Sequence, residues 1–201
     1  MNTRLLREPG ALAARLAQRH APHVAPLNRW IDDLNAAGPD WTPYFDPADG
    51  GVGAQVLLLL ESPGPQASRS RFVSLDNDSG TSENLRCLVH LAGLSRGRLA
   101  IWNTVPWQMS EHGVVTPTEA HLRAALPRTH QLLARLPDLR AVVLVGRKAE
   151  RGWLQVGRPD LPSFACPHPS PQNFVSRPDA SVQALTALVA AAQQAKRGRA
   201  G

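Results

Sequence analysis

Four short segments of this 201-residue chain carry side chains able to do chemistry. They are Glu61-Ser62-Pro63-Gly64-Pro65, Asn103-Thr104-Val105-Pro106-Trp107, Gly146-Arg147-Lys148 and Pro167-His168-Pro169-Ser170-Pro171-Gln172-Asn173. A carboxylate such as Glu61 can orient a water molecule and stabilise developing positive charge. A carboxamide such as Asn103 accepts and donates at once, so it can read a polar edge. An imidazole such as His168 can hydrogen-bond an oxygen that gains negative charge. Prolines on both sides of His168 restrict the backbone that carries it. Phe72, Asp76 and Asp78 follow the first segment closely and add an aromatic face and two more carboxylates.

Each of the four segments directly follows an apolar run, at 56–60, 99–102, 141–145 and 163–166. The runs are continuous rather than alternating, as expected of strands covered on both faces. Helical patterns separate them. Thr81 or Ser82 can cap a helix carrying Leu85, Leu88, Val89 and Leu91 that stops near Gly93. Thr116-Pro117-Thr118-Glu119 has capping-box spacing and opens a helix over 120–136, which Pro127 is expected to kink or split. Further helices are expected over 11–20, 26–37 and about 178–194, with a Pro, Gly and Asp-rich loop over 38–53. The fold class is α/β: a three-layer α/β/α sandwich around a four-stranded parallel sheet with right-handed crossovers. In such a sheet the strand C-termini share one edge, where ligands bind. The four segments are therefore expected to converge on one cleft. The chain reads as one domain over 1–195, with a helical segment at 1–38 and a basic tail at 196–201.

Composition limits the function classes. No apolar run approaches the roughly 20 residues needed to cross a bilayer, and the first ten residues have no signal-peptide core. A monomer in the cytoplasm, associated with the nucleoid, is expected. Cys87 and Cys166 are the two cysteines, too few for a four-cysteine zinc site or an iron–sulfur cluster, so neither metal nor cofactor is expected. The net charge is +6 and nearly all of the positive charge is arginine. Arginine's planar fork suits phosphate, although genome composition bias gives the same signature.

The ordered set of segments resembles the uracil-DNA glycosylase superfamily from about Val56 to Phe174. Glu61-Ser62-Pro63-Gly64 resembles its first motif, and Phe72-Val73 the segment with its base-stacking phenylalanine. Ile101-Trp102-Asn103-Thr104-Val105 is similar to the strand ending in its base-reading asparagine. His168-Pro169-Ser170-Pro171 matches its second catalytic motif, and Val143-Leu144-Val145-Gly146 matches the strand before it. Leu60 stands where the family usually has glycine, and Ser62 where its most active branches have Asp or Asn. Glu61 followed by a small residue is similar to branches with an iron–sulfur cluster, whose cysteines this chain lacks.

The resemblance implies a monofunctional DNA-repair glycosylase. It would hydrolyse the N-glycosidic bond of uracil, or a related deaminated base, flipped out of DNA, and leave an abasic site. Phe72 would stack on the base. Asn103 would accept from uracil N3–H and donate to O4. His168 would hydrogen-bond O2 as charge develops there. Glu61 is the first candidate to place the water; Asp76 and Asp78 are alternatives, and Ser62 could hold it without acting as a base. Arg69, Arg71, Arg147, Lys148, Ser170, Gln172 and Asn173 are candidate DNA contacts. Gln172 sits where some branches place an apolar wedge. Two rival readings remain: a non-catalytic module that binds damaged DNA or uracil, and a small α/β hydrolase, which lacks a Gly-x-Ser-x-Gly elbow.

Overall fold

A computed structural model describes residues 4–109 and 115–197. Four parallel strands form its central sheet: β2 (Val56–Leu60), β4 (Leu99–Asn103), β5 (Ala141–Val145) and β6 (Ser163–Cys166), in the order β4-β2-β5-β6. All four match the apolar runs, with β4 one residue longer. Two short strands, β1 (Tyr44–Phe45) and β3 (Phe72–Val73), pair in parallel away from that sheet. They lie where the sequence suggested only loop and segment, because two-residue strands leave no periodic signal.

Side chains alternate across each strand. Leu57, Leu59, Ala100, Trp102, Val142 and Leu144 join one core cluster. It includes Leu27, Trp30 and Ile31 of α2 (Ala25–Ala37), Leu132 and Leu133 of α5 (Glu119–Leu133), and Ala149, Trp153 and Val156 of α6 (Arg147–Val156). Val56, Leu58, Leu99, Ile101, Val143 and Val145 join a second cluster. It includes Leu85, Leu88 and Val89 of α4 (Gly80–Leu91) and Ala184, Leu188 and Ala191 of α8 (Ala180–Arg197). Both sheet faces are thus apolar, which is why the strands read as unbroken hydrophobic runs. At the edge, Ser163 and Ala165 of β6 are exposed, so this strand is not covered as the others are.

Three helix details differ from expectation. Ser79, not Thr81 or Ser82, caps α4 by accepting from Ser82 N at 3.1 Å. Thr118 caps α5 with His121 as its reciprocal partner, so the box lies two residues beyond Thr116. Helix α5 also runs unbroken through Pro127. Leu122, Ala125, Thr129, Leu132 and Leu133 form its buried face, while Pro127 stays exposed; packing offsets the proline cost of about 3 kcal/mol. The remaining helices are α1 (Pro9–Ala17), α3 (Pro65–Ser70) and α7 (Pro171–Ser176). Of the expected basic tail, Lys196 and Arg197 belong to α8; residues 198–201 lie outside the described residues.

Candidate functional site

The parallel register brings the strand exits together. Leu60 pairs with Asn103, and Val145 with Cys166. Thr104 then donates both its N–H and its hydroxyl to the Leu60 carbonyl at 2.8 Å, and Val105 N–H donates to the Glu61 carbonyl at 3.0 Å. These bonds fasten the first two polar segments side by side. On the other flank, Gly146 N–H donates to the Cys166 carbonyl at 2.8 Å.

Two adjoining hollows open along this edge. One, of about 540 Å³, is lined by Glu61, Ser62, Asn103, His168, Ser170 and Gln172, with apolar walls from Val73, Leu75, Leu85 and Ile101. The other, of about 950 Å³, is lined by Arg147, Lys148, Arg151, Asn173 and Arg177. Glu61, His168, Ser170 and Gln172 border both. Gly146 makes this junction possible. Its φ is +90°, and a Cβ there would stand 3.4 Å from His168 Cβ and 3.9 Å from Glu61 Oε2. Those are ordinary contact distances, so it is the positive φ that calls for glycine here.

Among the described residues the Glu61 carboxylate accepts no hydrogen bond. Burial raises its pKa above the ordinary glutamate value, and Lys148 pulls it partly back. Burial lowers the His168 pKa, so its ring stays neutral further into acid. The loop carrying it contains Pro167, Pro169 and Pro171, none of which has an N–H to hold the turn. Side chains supply the missing ties. Asn173 Nδ2 donates to the His168 carbonyl at 2.8 Å, and Asn84 Nδ2, from α4, donates to the Pro169 carbonyl at 3.0 Å. Ser170 caps α7, accepting from Asn173 N–H at 3.2 Å. Asn103 is 2% exposed, and its carboxamide has no partner among the described residues.

Not every expected residue arrives here. Phe72 is fully buried in the core, its ring centroid 6.3 Å from that of Tyr44, and it lines neither hollow. Strand alternation is the cause: in β3 it is Val73 that faces the smaller hollow. The stacking role expected of Phe72 therefore has no geometric support. Asp76 is also turned away. Its carboxylate accepts from Arg86 (2.9 Å), Arg96 (2.7 Å) and Arg15 (3.1 Å); against the effect of burial, Arg96 and Arg15 hold its pKa below the usual value. Asp78 pairs with Arg4 at 2.9 Å. Neither aspartate lines a hollow, so neither is placed to orient a water there. Arg69 lies in the last turn of α3 and faces solvent; Arg71 stacks its guanidinium over Trp41 at 4.8 Å. Neither arginine borders the hollows, whereas Arg147, Lys148, Ser170, Gln172 and Asn173 do.

Several residues at the site gave no sequence signal. Arg151 follows Arg147 by one helical turn, so the site is visible only once α6 is known to begin at the strand exit. Arg177 and Asn84 arrive through tertiary packing. Asn77 differs from these: by sequence its place just beyond Phe72, with Asp76 and Asp78, lets all three reach the cleft, and of the three it is Asn77, 6% exposed, that lines the smaller hollow. Among the described residues no group of three or more His, Cys, Asp or Glu side chains is placed to hold a metal ion. Cys87 and Cys166 are free thiols, and burial pushes Cys166 up to about 12. No helix among the described residues is long and apolar enough to cross a membrane.

A parallel α/β sheet whose strand exits gather a carboxylate, a carboxamide and a histidine beside a cationic hollow defines a class of ligand-binding α/β proteins. The family model of the uracil DNA glycosylase superfamily matches residues 47–189, so the chain belongs to that superfamily. No curated protein sequence matches it. A solved structure from Methanosarcina acetivorans, determined by NMR in solution and named provisionally as a uracil DNA glycosylase, is similar over 69% of this chain and 91% of its own, at 14% identity and a TM-score of 0.46.

Proposed function

We propose that this protein is a monofunctional DNA glycosylase that hydrolyses the bond between sugar and base of uracil, or a related deaminated base, extruded from DNA. Glu61 and His168 at the border of two unlike hollows carry this reading. The smaller hollow suits a base, with apolar walls for its faces and Asn103 for its edge. The larger suits the sugar-phosphate strand, with Arg147 and Lys148 for its charge. The glycosidic bond then lies between them, where Glu61 and His168 stand. The helices on the two sheet faces fit a three-layer α/β/α sandwich as the supporting architecture.

In this reading the C1′–N bond breaks first, with its electron pair moving into the base. Negative charge builds on the base O2, and the neutral His168 ring donates a hydrogen bond to it. Such a preorganised donor contributes several kcal/mol in a water-poor site. The ionised Glu61 faces the oxocarbenium-like sugar, orients the water whose oxygen bonds C1′ and takes the proton that this water gives up, while the base leaves as the anion. Ser62, on the same wall, can hold that water but cannot take its proton at neutral pH. Val73, Leu75 and Ile101 pack on the base in place of an aromatic ring.

Single-turnover cleavage of a labelled uracil oligonucleotide, read as alkali-labile strands, tests the assignment. Asn103→Ala and His168→Ala are each expected to lower the rate by at least about tenfold. Wild-type rates in both variants would remove these roles. A protein that binds the oligonucleotide yet yields no alkali-labile strand would be a binding module.

A further inference from the structure

We propose that Thr104 is a positioning residue, whose hydroxyl fixes the spacing between the base-edge reader Asn103 and the hydrolytic carboxylate of Glu61. This rests on the roles given to those two residues above. Alternation along a strand sends neighbours to opposite faces of the sheet. Asn103 faces the smaller hollow, whereas the Thr104 side chain faces the other way, against α6. Both are buried.

Asn103 is the last residue of β4, and Glu61 is the first beyond β2. The paired register ends at Leu60 and Asn103, so Asn103 and Glu61 stand where the ladder gives out. Three hydrogen bonds carry the pairing past that point, and two of them come from Thr104. Its N–H and its Oγ1 both donate to the Leu60 carbonyl at 2.8 Å, which occupies both lone pairs of that oxygen. The third runs from Val105 N–H to the carbonyl of Glu61 itself. Helix packing fixes the rotamer that makes the hydroxyl bond. A Cβ at Gly152 would stand 2.2 Å from Thr104 Cγ2, so the methyl fills the space that glycine leaves in α6. With the methyl lodged there, the stiff side chain turns its hydroxyl to Leu60. Val105 is fully buried with Trp107, Leu122 and Ala125, which seats the same segment on α5. The separation of Asn103 from Glu61 is set by this seating. Hydrolysis needs the base edge and the water-bearing carboxylate at one distance across the scissile bond, and a shift of about 1 Å can cost about a hundredfold in rate. Base binding is less exacting, because Val73, Leu75, Leu85 and Ile101 wall the hollow whatever the exact place of Asn103.

Three substitutions separate the bond from the packing. Thr104→Val keeps the methyl but puts carbon where Oγ1 stood, 2.8 Å from the Leu60 oxygen and inside the contact distance of about 3.3 Å. Thr104→Ala removes the bond without that clash. Thr104→Ser keeps the bond and empties the space over Gly152. Each full-length variant is measured by single-turnover cleavage of a uracil oligonucleotide at saturating enzyme and by thermal unfolding. Fluorescence anisotropy gives its affinity for the same strand with a 2′-fluorinated sugar, which blocks cleavage. Thr104→Val and Thr104→Ala are expected to lower the saturating rate at least about tenfold while affinity stays within about threefold of wild type. Thr104→Ser is expected to keep the rate within about threefold, although its lost methyl lowers the melting temperature by about 2–4 °C. Rates then follow the hydroxyl and not the stability. Rates that fall in step with melting temperature across the variants overturn the proposal. So does a wild-type rate in Thr104→Ala, or a loss of affinity equal to the loss of rate. If Thr104→Val does not fold, the comparison of Thr104→Ala with Thr104→Ser decides. All of these outcomes leave the glycosylase reading intact, whereas a wild-type protein that yields no alkali-labile strand removes both.

Discussion

Glu61 is the residue on which a pH-rate profile reports most directly. It must be ionised to face a developing cation, and burial raises its pKa from the ordinary 4.5. The acid limb of kcat/KM is therefore expected at a pH above that of an exposed glutamate, with activity falling as pH drops through the raised value. Glu61→Gln is expected to lower the rate and abolish this limb. The same shift has a consequence for stability, with the opposite sense of benefit. A carboxyl whose folded pKa exceeds its unfolded one favours the folded state when protonated, and that contribution is lost as pH rises through the folded value. Glu61→Gln is thus expected to raise the melting temperature at pH 7.5 and leave it nearly unchanged at pH 4. A variant less stable than wild type at pH 7.5 would show that the carboxylate is satisfied in the folded protein. His168 adds no acid-side gain over this range, because its lowered pKa keeps it neutral as a donor near pH 7.

Among the elements, α4 and the loop into α7 form the coupling that holds His168 in place. The start of α4 presses on this loop so closely that a Cβ at Gly80 would stand 2.4 Å from Pro171 Cγ. Four residues on, Asn84 ties the Pro169 carbonyl. Proline removed the backbone donors that usually close such a turn, so neighbouring side chains took over the work. Gly80→Ala is expected to displace Pro171 and cost about 1–3 kcal/mol of stability, the range for overpacking. It is also expected to slow single-turnover cleavage. Asn84→Ala removes the tie without the clash, so its rate loss is expected to exceed its stability loss. Melting temperatures and rates measured on both variants check this; Asn84→Ala with a wild-type rate would show that the loop needs no support from α4.

Across the whole molecule, a buried ionic network joins parts far apart in sequence. Arg15 of α1, Arg86 of α4 and Arg96 ahead of β4 converge on Asp76, while Arg15 and Arg96 also hold Asp46. Asp49 meets Arg96 at 2.7 Å, yet burial and the two neighbouring carboxylates push it up to about 7. The close guanidinium argues for ionisation; sharing it among three aspartates in a dry site explains why it does not win. The folded pKa is above the unfolded one, so Asp49 stabilises the fold when protonated, and stability is expected to decline as pH rises from about 4 to about 7. Asp49→Asn is expected to flatten the melting temperature across that window. A wild-type melting temperature that rises through it, with the same rise in Asp49→Asn, would assign the dependence to other groups.

The linear chain determined the strands of the central sheet and the segments that leave them. A buried parallel strand must be apolar throughout, and the first residues beyond it must be polar, so Glu61, Asn103 and His168 were legible as neighbours of apolar runs. Local rules also pointed to α4 and α5, with small errors in their caps because Ser and Thr recur within three residues of each start. What folding alone decided is which way side chains face and who holds them. Phe72 and Val73 differ by one residue and occupy opposite sides of β3, a choice set by pairing with Tyr44 and Phe45 that sequence periodicity cannot register over two residues. Asp76 and Asp78 stood as alternatives to Glu61 until Arg15, Arg86 and Arg4 arrived from distant segments to occupy them. Spacing along the chain reports local geometry, whereas a carboxylate's availability depends on partners brought in by packing.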